Sequence, residues 1–376
     1  SNNEVVKFQA KIKNAFKYYL TDYQKNIMKT LLFFQNKKIK FAVVGFGHIG
    51  KRHADLIVKN ADAELAAICD IKQKELLRLE NYAVPFYQSI EDLLHSGIAV
   101  DVINIATPNS LHASQALQCL AHNKHVVVEK PLSLKKSDAE EIVFKALQVH
   151  KHVFAVMQNR YSPPSAWLKE MVSSGILGKI YLVQINCFWN RDERYYVKNS
   201  WHGSKEQDGG TLFTQFSHFI DLMYWVFGDI ENIKARMASF NHKELTQFED
   251  SGYALFDFKN GGMGNLSFST SVWDKNLESS MTIIAENGSI KVGGQYMDKV
   301  EYCHVKNYEM PQLKPTNPGN DYGAYKGSAA NHHFVIDNVV EVLNNKSFVP
   351  NLLDAVKSVE IIERIYTGVE KLSKCV

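Results

Sequence analysis

Between Lys40 and Asp70 the chain orders a strand, a glycine-rich turn, a helix and a second strand in a way few folds accept. Lys40-Phe-Ala-Val-Val44 is apolar, Gly45-Phe-Gly-His-Ile-Gly50 follows, a helix carries His53, Leu56 and Ile57, and Leu65-Ala-Ala-Ile-Cys69 ends on Asp70. Gly45 permits a tight turn, Gly47 lets a ligand approach the backbone, and Gly50 lets helix and strand pack closely. The helix N-terminus presents free N–H groups to a pyrophosphate. Asp70 stands where ribose hydroxyls need an acceptor. The stretch therefore predicts a dinucleotide site built from Gly45, Phe46, Gly47, His48, Ile49, Gly50 and Asp70. An acid at this position repels a 2′-phosphate, which favours NAD over NADP.

The alternation continues. Pro85–Tyr87 reads as a short strand, Ile90–His95 as a helix, and Val100–Ala106 as a strand ending in Thr107-Pro108-Asn109. A helix over 110–122 leads to the β-branched run at 125–128, which stops abruptly at Glu129-Lys130-Pro131. Proline cannot donate to a ladder and restrains the residue before it, so Lys130 is delivered to a strand end. A helix at about 137–149 and a strand at 153–157 follow. Strands alternating with helices predict a doubly wound parallel Rossmann sheet over 38–158, an α/β fold whose ligands sit beyond the carboxyl ends of the strands. Thr107, Pro108, Asn109, His112, Glu129 and Lys130 are then expected around the cofactor. For His112 a helix-capping or core role competes with that reading.

After residue 158 the pattern changes. Pro163-Pro164 opens a helix, 179–189 is a long strand, and strands over 231–240, 251–260, 263–272 and 280–286 come without intervening helices. Gly261-Gly262 and Asn287-Gly288 supply hairpin turns. This predicts a C-terminal α/β domain, 159–376, with an open, mostly antiparallel sheet for substrate binding and oligomerisation. Such a sheet needs cover on its second face, so a homodimer or homotetramer is expected. A loop over 306–326 and helices over 327–344 and 351–372 close the chain. At the other end, 1–37 form a helical extension, with Phe8, Ile12, Phe16, Tyr19, Tyr23 and Ile27 on one face of a helix. Ser1-Asn2 reads as the scar of a cleaved tag.

The helix opening at Gly209-Gly210 carries Thr214, His218 and Asp221 at spacings that share one face. A polar histidine on an otherwise apolar helix needs a partner. Asp221 satisfying a buried imidazole competes with a general base. Oxidising a carbinol calls for a proton acceptor and a cation near the developing alkoxide, and His218 and Lys130 fit those roles. Which of the two takes the proton is left open by the residues alone.

Composition narrows the classes. A net charge of +3 is too balanced to point to nucleic acid. Five cysteines, Cys69, Cys119, Cys187, Cys303 and Cys375, show no C-x-x-C pair, which argues against a disulfide framework or a zinc site and fits a cytoplasmic chain. No run is long enough to cross a membrane as a helix.

Taken together, Gly45–Gly50, Ala106-Thr-Pro-Asn109 with His112, Glu129-Lys-Pro131, and Gly209-Gly210 followed by His218 and Asp221 resemble the Gfo/Idh/MocA oxidoreductase family from about residue 38 onward. The resemblance implies NAD as cofactor and Lys130 with His218 as the catalytic pair. Met157-Gln-Asn-Arg-Tyr161, Phe188-Trp189, Trp201-His-Gly203, Asp208-Gly-Gly210 and Gln215-x-Ser217-His218 look like the WlbA/WbpB-type branch. Those dehydrogenases oxidise the 3-hydroxyl of UDP-N-acetylglucosaminuronic acid on the way to surface-polysaccharide sugars. That likeness implies a substrate site containing Asn159, Arg160, Thr214, Gln215 and Asp221, with Arg160, and Arg191 or Arg194, as partners for a diphosphate or carboxylate. One departure stands out: many family members carry aspartate four residues before the histidine, where this chain has Thr214. Two other readings compete, namely the same chemistry on a free sugar or an inositol-type cyclitol, and a non-catalytic NAD(P)-binding regulator.

Overall fold

The computed structural model describes residues 38–369, apart from positions 199 and 324. The helical extension expected over 1–37 lies outside the described residues, as does Cys375.

The first half follows the expected alternation: β1 (Ile39–Val44), α1 (His48–Lys59), β2 (Ala63–Cys69), β3 (Phe86–Tyr87), α2 (Ile90–His95), β4 (Val102–Ile105), α3 (His112–Ala121), β5 (His125–Val128), α4 (Lys136–Gln148) and β6 (Val153–Ala155). The six strands form one parallel sheet in the order β3-β2-β1-β4-β5-β6. Its central strands are buried on both faces, which is why they read as unbroken apolar runs. Ala42, Val44, Ile103, Ile105, Val126 and Val128 face α3 and α4; Phe41, Val43, Val102 and Val127 face the other side. Gly45 has φ +86°, and a Cβ there would sit 2.6 Å from the Ala106 carbonyl oxygen. A Cβ at Gly50 would collide with the Gly45 carbonyl oxygen. Gly47 has open space where its Cβ would project, so only a ligand could require that position to be bare.

The second half contains α5 (Pro163–Ser173), β7 (Ile180–Phe188), α6 (Thr211–Thr214), α7 (Ser217–Phe227), β8 (Ile230–Ala238), β9 (Ser251–Phe258), β10 (Met263–Ser269), β11 (Glu278–Ala285), β12 (Gly288–Gly293), β13 (Lys299–Val305), β14 (Gly319–Asp321), β15 (Lys326–Ala329), α8 (His332–Leu343) and α9 (Leu352–Thr367). A seven-stranded sheet runs β13-β12-β11-β7-β10-β9-β8, antiparallel except where β7 pairs β10. Its inner face sets Val183, Ile185, Leu266 and Phe268 against Phe216, Phe219 and Met223. Burying each such side chain is worth roughly 2 kcal/mol. Its outer face is open and mixed: Leu182 pairs with Met263 on one side and Ile284 on the other, all three exposed, and the next row on that face is polar, Asn265, Gln184 and Thr282.

Two expectations need correction. The helix from Gly209 is two helices, α6 and α7, broken at Gln215-Phe216. Residues 326–329 form a strand paired with β14, not the first turn of the helix expected over 327–344. Across the expected division at 158/159, Val335, Ile336, Val339 and Val340 of α8 pack on Ala54 and Ile57 of α1 and close one face of the parallel sheet. An amphipathic period shows that a face is buried, and not what it is buried against.

Candidate active site

A cleft of about 460 Å³ opens beyond the carboxyl ends of β1, β4 and β5 and continues between the two sheets. Gly45, Gly47, His48, Ile49, Asp70, Thr107, Pro108, Asn109, His112, Glu129, Lys130, Thr214, Gln215 and His218 all line it. Lys130 and His218, far apart in sequence, meet in one cavity because a Rossmann strand end and the start of α7 converge there.

Lys130 is joined to Pro131 by a cis peptide bond, and its Nζ donates to the Thr214 carbonyl oxygen at 2.5 Å. That carbonyl is available because α6 ends there. Burial pushes the Lys130 ammonium down to about 8, against the pull of Glu129 and Asp208 and with the push of Arg191. The His218 imidazole is held well below its ordinary value, first by burial and then by Lys130, so it is neutral near pH 7. Its Nδ1 finds no partner among the described residues.

Glu129 accepts from His53 Nε2 at 2.8 Å and lies 3.2 Å from His332 Nε2. Burial alone would raise its carboxyl, but hydrogen bonds from His332 and His53 outweigh that and hold it well below the usual range. Asn104 Nδ2 lies 2.8 Å from His53 Nδ1, and its donation there leaves the Nε2 proton for Glu129. This triad ties β5 to α1 and α8 immediately beside Lys130.

Asp208 is a member of the site that the spacing of residues did not single out. It is buried, takes a hydrogen bond from the Gly203 amide at 2.8 Å, and contacts the Thr214 hydroxyl. Asn109 Nδ2 donates to the Asp208 carbonyl at 2.8 Å and to Thr214 Oγ1 at 2.7 Å. Burial pushes the Asp208 carboxyl up to about 6, against its hydrogen bonds. The carboxylate absent from position 214 is thus supplied from position 208, through the threonine. The only local signal was an acid directly before two glycines with positive φ.

Other residues fall elsewhere. Phe46 turns its ring onto Tyr82, and only its amide matters here, donating to Asp70 Oδ2 at 2.6 Å. His112 bridges strand ends, its Nδ1 2.7 Å from the Pro131 carbonyl and its Nε2 2.9 Å from that of Thr107. Asn159, Arg160 and Asp221 do not line the cleft. Arg160 grips Asp221 through Nε (2.8 Å) and Nη2 (2.6 Å) and reaches Asp354 at 2.8 Å. Asp221 is thereby taken from His218, its neighbour on α7, because Arg160 in the helical turn Gln158–Tyr161 and Ser358 of α9 bind its carboxylate. Arg194 lies outside on the surface, paired with Asp192 at 2.7 Å. Arg191, by contrast, lines the cleft.

Comparisons with known proteins agree with this geometry. The model of the oxidoreductase family GFO_IDH_MocA, NAD-binding Rossmann fold, matches residues 39–157, and that of the GFO/IDH/MocA C-terminal domain matches 166–291. The chain is similar to the WlbA dehydrogenase of Bordetella pertussis, solved with NADH and UDP-GlcNAcA, at 30% identity and a TM-score of 0.78, covering 88% of this chain and 96% of that one. The WlbA dehydrogenase of Chromobacterium violaceum, with the same ligands, is also 30% identical, with a TM-score of 0.79 and coverage of 89% and 94%. Among curated relatives, glucose-6-phosphate 3-dehydrogenase of Bacillus subtilis is 23% identical over 87% of this chain and 95% of its own length. An uncharacterized oxidoreductase of Synechocystis is 25% identical over 54% of this chain, and the match spans 55% of that relative's length. No helix among the described residues is long and apolar enough to cross a membrane.

Proposed function

Because the chain belongs to the GFO/IDH/MocA family of NAD-dependent oxidoreductases acting on sugars, we propose that it oxidises the 3-hydroxyl of a UDP-N-acetylglucosaminuronic acid to a ketone. The observation that carries the reading is the meeting of Lys130 and His218 in the cleft that the glycine turn also lines. The likeness to the two WlbA dehydrogenases supports the substrate class.

The bare Gly47 and the tight Gly45 turn fit a pyrophosphate, and Asp70 at the end of β2 fits a ribose diol. NAD, when bound, supplies the hydride acceptor. In our reading Lys130 in its neutral form takes the hydroxyl proton on Nζ as the carbinol hydrogen leaves with its electron pair. With a proton affinity near pH 8, this amine exchanges protons close to neutrality, whereas the His218 imidazolium is strongly disfavoured. Neutral His218 orients the same hydroxyl by a hydrogen bond. The ammonium formed on Lys130 rests against the Thr214 carbonyl, and the field of the Asp208 carboxylate favours it without direct contact. Glu129, clamped by His53 and His332, positions the strand end that carries the lysine.

We also propose that the open face of the seven-stranded sheet is covered by a second copy, as a homodimer or homotetramer. The test of function is direct. The protein, NAD and UDP-N-acetylglucosaminuronate are expected to give reduced nicotinamide or, with an oxidant to recycle it, a keto sugar. Absence of both sinks the proposal. If UDP neither binds nor competes while glucose, glucose 6-phosphate or an inositol is oxidised, the free-sugar reading replaces it, a reading that the Bacillus subtilis relative supports.

A further inference from the structure

Of the three arginines that could receive an anion, two already have one. Arg160 is neutralised by Asp221 and Asp354, and Arg194 by Asp192 and Asp274. Arg191 is only 2% exposed, and among the described residues no carboxylate pairs with it. Its guanidinium lies 4.8 Å from the Trp189 ring, 5.2 Å from Tyr195 and 5.0 Å from Tyr325. Nε donates to Gln215 Oε1 at 2.8 Å, Nη1 to the Asn190 carbonyl at 2.6 Å and to Asn276 Oδ1 at 3.3 Å, and Nη2 to the Lys326 carbonyl at 3.0 Å. A guanidinium has five N–H bonds, so one on Nη2 is left over. Every acceptor it has is neutral. A buried cation with dipoles and aromatic faces around it, but no counter-charge, is an expensive arrangement unless an anion completes it.

Its position says which anion. Gln215, which Arg191 holds, directly follows Thr214, whose carbonyl holds Lys130 Nζ. Arg191 and Lys130 thus line one cleft and are anchored to consecutive residues of it, which puts the guanidinium on the side of the cleft where the hydroxyl reacts. Trp189, Tyr195 and Tyr325 wall the cleft around the guanidinium. A diphosphate is substituted at both ends and needs an open path through its site; a carboxylate terminates the molecule that bears it. We propose that Arg191 is the specificity-determining residue for an acidic sugar, its free N–H and its charge receiving the substrate's carboxylate. This rests on the uronate reading above and assigns the group that reading leaves without a partner. Arginine suits the task through its planar fork and its stacking on aromatic faces. Gln215 and Asn276 keep the guanidinium from turning away when the cleft is empty.

Two experiments test it. In the unaltered protein, kcat/KM for UDP-N-acetylglucosaminuronate is compared with that for its methyl ester and for UDP-N-acetylglucosamine. The acid is expected to be preferred by about 100-fold over both, the size of one charged hydrogen-bonded contact. Equal rates overturn the proposal, and this arm needs no variant to fold. In Arg191→Gln the acid-to-neutral preference is expected to collapse by about the same factor. An unchanged preference overturns the proposal, as does an equal loss of affinity for UDP alone, which would place the diphosphate there. If no nucleotide sugar is oxidised but free sugars are, the same comparison is read on glucuronate against glucose. A preference for the acid that Arg191→Gln removes then upholds the inference although the nucleotide-sugar reading has fallen, and no preference overturns both.

Discussion

Arg160 and Arg191 are both withdrawn from water, and they solve the problem of a buried cation in opposite ways. Arg160, in the helical turn Gln158–Tyr161, bridges α7 and α9 with a bidentate grip on Asp221 and a third bond to Asp354, and it faces no part of the cleft. Arg191, like Lys130 close by, has only neutral acceptors and lines the cleft. The first arrangement is complete in the protein alone. The second is complete only with something else bound. A paired charge holds the fold together, and an unpaired one costs stability and is kept for chemistry or recognition.

That contrast is tested most severely by Lys130→Met. The variant is expected to lose roughly 10³-fold in kcat/KM while melting no lower than the parent, since the buried ammonium carries no carboxylate partner of its own. Initial rates and thermal melting decide it. A variant that keeps its activity would favour a regulator over an enzyme. A variant that unfolds would make Lys130 a structural cation like Arg160. Asp221→Ala is the converse case. It leaves the Arg160 guanidinium with Asp354 alone and is expected to cost ~3 kcal/mol of stability in urea denaturation, with turnover per folded molecule retained. A large change in KM at unchanged stability would return Asp221 to the substrate site.

A smaller effect is expected on the outer sheet face. Leu182→Glu places a charge in the row Met263–Leu182–Ile284. Each apolar side chain buried there by a partner copy contributes ~2 kcal/mol, so light scattering should show the assembly dissociating at concentrations where the parent is intact. A parent that is already monomeric removes that proposal.

What the residues revealed and concealed follows the same line. The β1-turn-α1-β2-Asp70 unit was legible because each step is local: apolar period, glycine geometry, an acid at a strand end. Lys130 was legible because Pro131 marks where β5 stops. His53 and His332, the partners of Glu129, were not, because nothing in a helical period says which distant carboxylate a histidine will meet. The same holds for Arg160 and Asp221. The break at Gln215-Phe216 takes Thr214 off the expected Thr214–His218–Asp221 face, and on α7 the pairing with Arg160 takes the Asp221 carboxylate from His218. Strands β12 and β13 were missed because short, glycine-bounded or polar runs carry little period.

Asp208 offers the finest test, because it belongs to both sides of the contrast. It is a buried carboxylate held by Gly203 and Thr214, and its field also reaches Lys130. With its carboxyl pushed up to about 6, it is an anion at pH 7 and above. That anion favours the charged form of Lys130, and burial opposes it, leaving the lysine at about 8. If neutral Lys130 takes the hydroxyl proton, kcat/KM rises with pH through about 8 and then levels. Asp208→Asn removes the anion. The ammonium loses a favourable neighbour, the lysine gives up its proton more readily, and the rising limb moves to lower pH. Any loss of rate should therefore be smaller on the acid side of the limb than on the plateau, and Asp208→Glu should keep the limb nearer its original place. A limb that stays where it was in Asp208→Asn, with the rate falling equally at every pH, would reduce Asp208 to a strut for Thr214 and Asn109 and leave the proton affinity of Lys130 to burial, Glu129 and Arg191.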